Sequence, residues 1–171
     1  MSMTNTNART ASNSNEGNNF VDMHTHGLGY LSRVREVPVR KGQPFMSASI
    51  SAFHGEKGVK DGMIFVPFDV KAASGQARDV LKQFEAQAND RDNCKVMVRF
   101  KIGDQYIDSY TFTKGDRAGQ TGMQLKGRLL FVSHVWIKAK GQDSYALAYE
   151  YQAPAEQAGD AGGESHDGTN G

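Results

Sequence analysis

Cysteine is almost missing from this chain: Cys94 stands alone in 171 residues. That excludes an internal disulfide and any zinc site built from several thiolates, and it fits a reducing cytosol. Long apolar runs are missing too. The longest aliphatic and aromatic stretch is Leu129 to Val132, whereas a membrane-spanning helix needs about 20 apolar residues. No apolar segment follows a basic start, so a soluble, cytoplasmic protein without membrane contact is expected. The signatures of common catalytic sites are also lacking: there is no Gly-x-Ser-x-Gly elbow and no phosphate-loop lysine motif. Gly27-Leu-Gly29 lacks the rest of a dinucleotide fingerprint, and Cys94 has no histidine beside it in sequence. The expectation is a non-enzyme that needs no cofactor and no metal.

Lys and Arg are absent after Tyr151, where Glu156, Asp160, Glu164 and Asp167 leave an acidic end. The formal charge of +1 therefore misrepresents the middle of the chain. Of 19 acids and 20 bases, setting aside those four acids with Glu16, and Arg9 among the bases, leaves 14 acids against 19 bases, or +5. Residues 1–19 are dominated by Asn, Ser and Thr, and residues 153–171 by Gly, Ala and acids. Neither end holds enough apolar surface to offset the entropy of ordering, so both are expected to be disordered around one domain at 20–152.

Within that domain the hydrophobic period is mostly two. Tyr30 to Arg40 reads as a strand, and a turn at Arg40-Lys-Gly-Gln-Pro44 leads to a second. There Met46, Ala48, Ile50 and Ala52 alternate with Ser47, Ser49 and Ser51, and Phe45 and Phe53 share the hydroxyl face. A third strand places Ile64, Val66, Phe68 and Val70 inward and Phe65, Pro67, Asp69 and Lys71 outward, with Pro67 marking an edge or an irregularity. One helix follows, with Ser74 as N-cap and Ala77, Val80, Leu81, Phe84 and Ala88 on one face. The fourth strand, Lys95 to Ile102, is the most one-sided: Val96, Val98, Phe100 and Ile102 face one way, and Lys95, Met97, Arg99 and Lys101 the other. After a turn at Gly103-Asp104, Tyr106, Tyr110 and Phe112 share a face. A long strand from Met123 to Lys138 carries Lys126 and Arg128, and 146–152 adds a short final strand.

Three strands, a helix and two strands is the order of the OB-fold, a mainly β, five-stranded Greek-key barrel with one helix between strands 3 and 4. Its strands and loops bind oligonucleotides through cations that meet phosphates and outward aromatics that stack on bases. The residues expected to do so are Arg33, Arg35, Arg40, Lys41, Phe45, Phe65, Lys71, Lys95, Met97, Arg99, Lys101, Tyr106, Tyr110, Lys126 and Arg128. Core packing is the better expectation for Phe53 and Phe112, while Trp136 is open between burial, an interface and stacking. The run Asp22-Met-His-Thr-His26 resembles the first metal-binding motif of amidohydrolases. Those enzymes are far larger βα barrels drawing ligands from successive strand ends, so a pair of surface histidines is expected here.

Four phrases, Gly29-Tyr-Leu-Ser-Arg-Val-Arg-Glu-Val37, Lys41-Gly-Gln-Pro-Phe45, Phe112-Thr-Lys-Gly-Asp-Arg-Ala-Gly-Gln-Thr-Gly122 and Lys126-Gly-Arg-Leu-Leu-Phe-Val132, fall in order along 20–138. Together they resemble a bacterial family of replication proteins carried by integrating conjugative elements, long described as a domain of unknown function. The resemblance implies single-stranded DNA binding of the kind made by the general bacterial single-stranded DNA-binding protein, to which Gly62-Met-Ile-Phe-Val-Pro-Phe-Asp-Val70 is loosely similar. In that likeness an aromatic at Phe65 stacks on a base. Asp69 departs from it by adding a negative charge, and the end Asp167-Gly-Thr-Asn-Gly171 lacks the acidic and hydrophobic tip that recruits partners. The expected partners are single-stranded DNA, with RNA an open alternative, further copies of the chain, and replication or conjugation proteins. A barrel that serves as a protein adaptor is the first rival reading, and a metal hydrolase built on His24 and His26 the second.

Overall fold

The structure is a computed structural model that describes residues 21–154; the expectations for 1–19 and for 155–171 lie outside the described residues. Its elements run β1 (His24–Val37), β2 (Phe45–Gly55), β3 (Met63–Ala72), α1 (Gly75–Gln83), α2 (Glu85–Asn89), β4 (Cys94–Thr111), β5 (Thr121–Ala139) and β6 (Ala146–Glu150). The hydrogen-bonded order is β3-β2-β1-β4-β5-β6, with a further pairing of β3 on β5. That pairing closes a ring of β1, β2, β3, β5 and β4. All of its contacts are antiparallel except β3 on β5, which are parallel over residues 68–72 and 125–129. This is the expected five-stranded barrel, with the helical segment between its third and fourth strands. β6 lies outside the ring on the free edge of β5.

Pro67 lies on the part of β3 that has a neighbour on one side only. The parallel pairing with β5 begins only at Phe68, so the first half of β3 bonds to β2 alone. The alternation in β4 and β2 delivers the core: Met46, Ala48, Ile50, Val96, Val98, Phe100 and Ile102 are all buried, with Leu129, Val132 and Val135 opposite.

Ala77, Val80, Leu81, Phe84 and Ala88 pack into the same cluster. Ser74 caps α1, its Oγ accepting the Ala77 N–H at 3.0 Å and donating to the Leu130 carbonyl at 2.7 Å. The single helix expected from the sequence is two, because the backbone leaves helical geometry at Phe84 (φ −108°, ψ 13°). Two amide side chains of the helical segment complete the strands beside them. Gln76 bonds both the N–H and the C=O of Val132 at 3.1 and 2.6 Å, and Asn89 both groups of Val34 at 2.9 and 2.8 Å.

Other boundaries also differ. β1 begins at His24 rather than Tyr30 and carries a bulge in which Arg33 adopts φ 50°. The turn expected at Gly103-Asp104 is a bulge inside one continuous strand, with Asp104 at φ 50°. β4 and β5 thus extend past the barrel as a long hairpin. Its polar tip is ordered by backbone bonds between Phe112 and both Gln120 and Gly119, and the Arg117 guanidinium lies 4.1 Å from the centre of the Phe112 ring.

Candidate nucleic-acid interface

The cross-strand register lines up side chains on the outer face of the sheet in rows. One row runs Phe65, Phe53, Leu28, Arg99, His134 and Glu150, from β3 to β6. The next runs Pro67, Ser51, Tyr30, Met97, Trp136 and Leu147. The β1–β3 half of these rows is aromatic. Tyr30 and Phe53 lie 5.2 Å apart between ring centres, Phe53 and Phe65 6.1 Å, and Tyr30 and Phe65 6.3 Å in a stacked arrangement. Phe65 is 51% exposed, and its ring is the open end of the cluster.

The β4 half is cationic. Lys95 and Arg99 are exposed and Lys101 half-buried. Among the described residues none of the three has a carboxylate within ion-pairing distance. Met97 lies between Tyr30 and Trp136, and Trp136 stacks on His134 at 5.2 Å with planes 7° apart. A cleft of about 710 Å³ joins the two halves. Phe53 and Phe131 both line it, and His26, His54, Lys57, Arg99, Lys101 and Ser133 supply its polar side chains. It is large enough for a small planar ligand.

From the loop before β6, Tyr145 reaches back to the Tyr30 hydroxyl. Burial and that neighbour push the Tyr145 phenol up to about 12.

The second place where an OB barrel can hold nucleic acid is the groove between the β1–β2 and β4–β5 connections. Here it is bounded by Arg35, Phe45, Lys71, Tyr106 and Lys126, together with Asp69. Its charges are mostly spent within the protein. Lys126 meets Asp108 at 2.6 Å, Arg128 meets Asp104 at 2.7 Å and Arg35 meets Asp69 at 3.6 Å. The hydrogen bond that the Lys126 ammonium donates to the Asp108 carboxylate holds it above its ordinary pKa. The Lys71 ammonium sits 4.3 Å from the centre of the Phe45 ring, so cation and aromatic cover one another. Tyr106 remains 57% exposed.

The residues proposed from sequence therefore divide. Phe65, Lys95, Met97, Arg99 and Lys101 share the outer face. Arg35, Phe45, Lys71, Tyr106 and Lys126 share the groove, with Arg128 beside it on β5. Arg33 donates from Nε to Ser49 Oγ at 3.1 Å next to the bulge, and Arg40 and Lys41 are exposed in the β1–β2 connection. Tyr110 lies on the hairpin with its ring over Gly122. Tyr30, absent from that set, is central to the aromatic cluster. Its signal was its alternation with inward Leu31. Phe53, expected in the core, is on the outer face, as its place among the serines of β2 implied.

His24 and His26 lie within β1, their rings 6.5 Å apart and their backbones opposite Gly103 and Lys101. Among the described residues no group of three or more His, Cys, Asp or Glu is placed to hold a metal ion. No helix is long and apolar enough to cross a membrane among them.

No curated protein and no solved structure matches the chain. The family model described as "Protein of unknown function (DUF3577)" matches residues 14–151, which take in the whole barrel and β6, and the chain belongs to that family.

Proposed function

We propose that this protein binds single-stranded DNA, largely without sequence preference, in the replication or transfer of an integrating conjugative element. One observation carries the binding part of the reading. On a single face of an OB-type barrel, Arg99 and Lys101 meet Phe53 across a cleft wide enough for a base, and Lys95 lines a neighbouring pocket with Tyr30 and Phe65, none of the three cations being ion-paired among the described residues. Flat apolar rings bind unstacked bases of any sequence, and cations alongside them hold the phosphates. A base on Phe65, with a phosphate against Arg99 or Lys101, uses both halves of the face. The setting in a conjugative element rests on the four sequence phrases above. RNA offers the same bases and phosphates, and the same titration ranks the two.

Fluorescence anisotropy with labelled oligo-dT, oligo-U and duplex DNA at low salt tests the reading. Phe65→Ala removes a stacking platform worth about 1–3 kcal/mol, so affinity should fall by about 5-fold to 150-fold. Lys95→Ala with Arg99→Ala should weaken binding and flatten its salt dependence. Wild-type affinity in both variants, with their circular dichroism intact, refutes this face as the site.

A second reading, a protein adaptor, is supported by the hairpin beyond the barrel, where Ile107 is 67% and Met123 76% exposed on one side. Absence of binding to every oligonucleotide at micromolar protein favours the adaptor. Self-association belongs to either reading, because β6 and residues 63–67 of β3 leave strand edges open. Light scattering measures it directly.

A further inference from the structure

We infer that the nucleic-acid backbone runs lengthwise along β4, and that it leaves the barrel through a second cationic pocket between the turn before β4 and the β5–β6 connection. This rests on the reading above and extends it to Arg91, Lys138 and Lys140. Lys138 lies directly opposite Lys95 in the β4–β5 register. Two like charges facing each other across antiparallel strands destabilise a sheet. Here two more join them: a pocket of about 210 Å³ is lined by Arg91, Lys95, Lys138 and Lys140, with one carboxylate, Asp92, and the ring of Tyr145. Among the described residues none of the four cations has a carboxylate within 4.0 Å.

The pocket is built rather than incidental. The Lys140 N–H donates to the Asn93 carbonyl at 2.7 Å and ties its two walls together. The Lys138 ammonium donates to the Asp143 carbonyl at 3.2 Å and lies 5.9 Å from the centre of the Tyr145 ring. Cations gathered around one pocket without ion-pair partners raise the local concentration of an anion. The groove on the other side of the barrel does the opposite, closing Lys126, Arg128 and Arg35 onto Asp108, Asp104 and Asp69. From Lys101 to Lys95 the outer row of β4 spans about 20 Å at strand rise, and the pocket continues it at the Lys95 end. The ligand class is a chain of phosphodiesters, whose repeated charges fit a row of cations ending in a cluster.

The test compares the wild type with two variants on a labelled oligo-dT, measuring affinity from low to physiological salt. One variant is Arg91→Gln, Lys138→Gln and Lys140→Gln. The other is Arg40→Gln, Lys41→Gln and Lys71→Gln, which strips cations from the β1–β2 connection and the groove. Each phosphate of a single strand that no longer meets a cation takes about 0.7 off the slope of log affinity against log salt. The pocket variant should therefore lose about 2 from the slope, and the groove variant less than about 0.7. An unchanged slope in the pocket variant, or a larger loss in the groove variant, overturns the lengthwise path. If Phe65→Ala and the Lys95 and Arg99 variant still weaken binding in that case, the outer-face reading stands without it. A wild-type protein that binds no oligonucleotide overturns both.

Discussion

Asn89 closes a gap in the barrel, and its removal should be costly out of proportion to its size. β1 pairs with β4 only as far as Leu31, and the bulge at Arg33 then carries Val34 away from any neighbouring strand on that side. Val34 is 2% exposed, and the Asn89 amide bonds its N–H at 2.9 Å and its C=O at 2.8 Å. Asn89→Ala leaves one buried donor and one buried acceptor unpaired. At about 1–3 kcal/mol for each group, and with a few tenths regained from alanine's higher helix propensity, the expected loss is about 2–5 kcal/mol. In urea unfolding this appears as a lower midpoint at unchanged slope, and in a thermal scan as roughly 4 °C per kcal/mol at this size. Asn89→Asp provides an internal check. Its carboxylate accepts the Val34 N–H but opposes the Val34 carbonyl, so the defect should shrink at low pH, where the protonated acid donates. A loss below about 0.5 kcal/mol for Asn89→Ala, or no pH dependence for Asn89→Asp, refutes the account of the side chain as a missing strand partner.

Charge pairing should separate the two sides of the barrel. Replacing Lys126 and Asp108 together by Gln and Asn removes both partners of the 2.6 Å pair and should leave the salt slope of oligo-dT binding within about 0.5 of wild type. Arg99→Gln with Lys101→Gln should lower it by about 1.4. In an absorbance titration Tyr145 should ionise near 12, and Tyr30→Phe should bring it down. Because the folded state holds its proton more tightly than the unfolded chain, its contribution to stability is complete below about pH 10 and fades as pH rises through 10 to 12. The raised Lys126 likewise contributes fully below its ordinary value of 10.5 and loses that contribution above it, so neither group shifts stability between pH 5 and 8. A Cβ at Gly29 would lie 2.6 Å from Ile50 Cγ2 and 2.9 Å from the Ser51 carbonyl oxygen. Gly29→Ala should therefore cost about 1–3 kcal/mol by overpacking, read from urea midpoints.

How much of this could be read from the chain depends on the range of the interaction involved. Alternation is local, so the sequence alone assigned Val96, Val98, Phe100 and Ile102 to the interior of β4 and Lys95, Met97, Arg99 and Lys101 to its exterior, and the structure follows it residue by residue. Ser74 as a cap and Pro67 as a mark of incomplete pairing are local in the same way: each depends on one side chain and the backbone groups beside it. A period of two puts Phe53 on the serine face of β2, yet core packing is the sequence expectation for it and Tyr30 is not singled out, and nothing local says that outward residues on β1, β2 and β3 meet as one cluster. Register between strands decides that, and register depends on bulges such as those at Arg33 and Asp104 that no short pattern announced. Register also decides which cations keep their charge for a ligand. Lys126 and Arg99 look alike in sequence, yet Lys126 lands beside Asp108 while Arg99 lands between Leu28 and His134. The chain determined a basic strand with a dry side; only the closing of the barrel determined that this strand borders an aromatic face, because a carboxylate distant in sequence neutralises a cation only when the two strands are folded side by side.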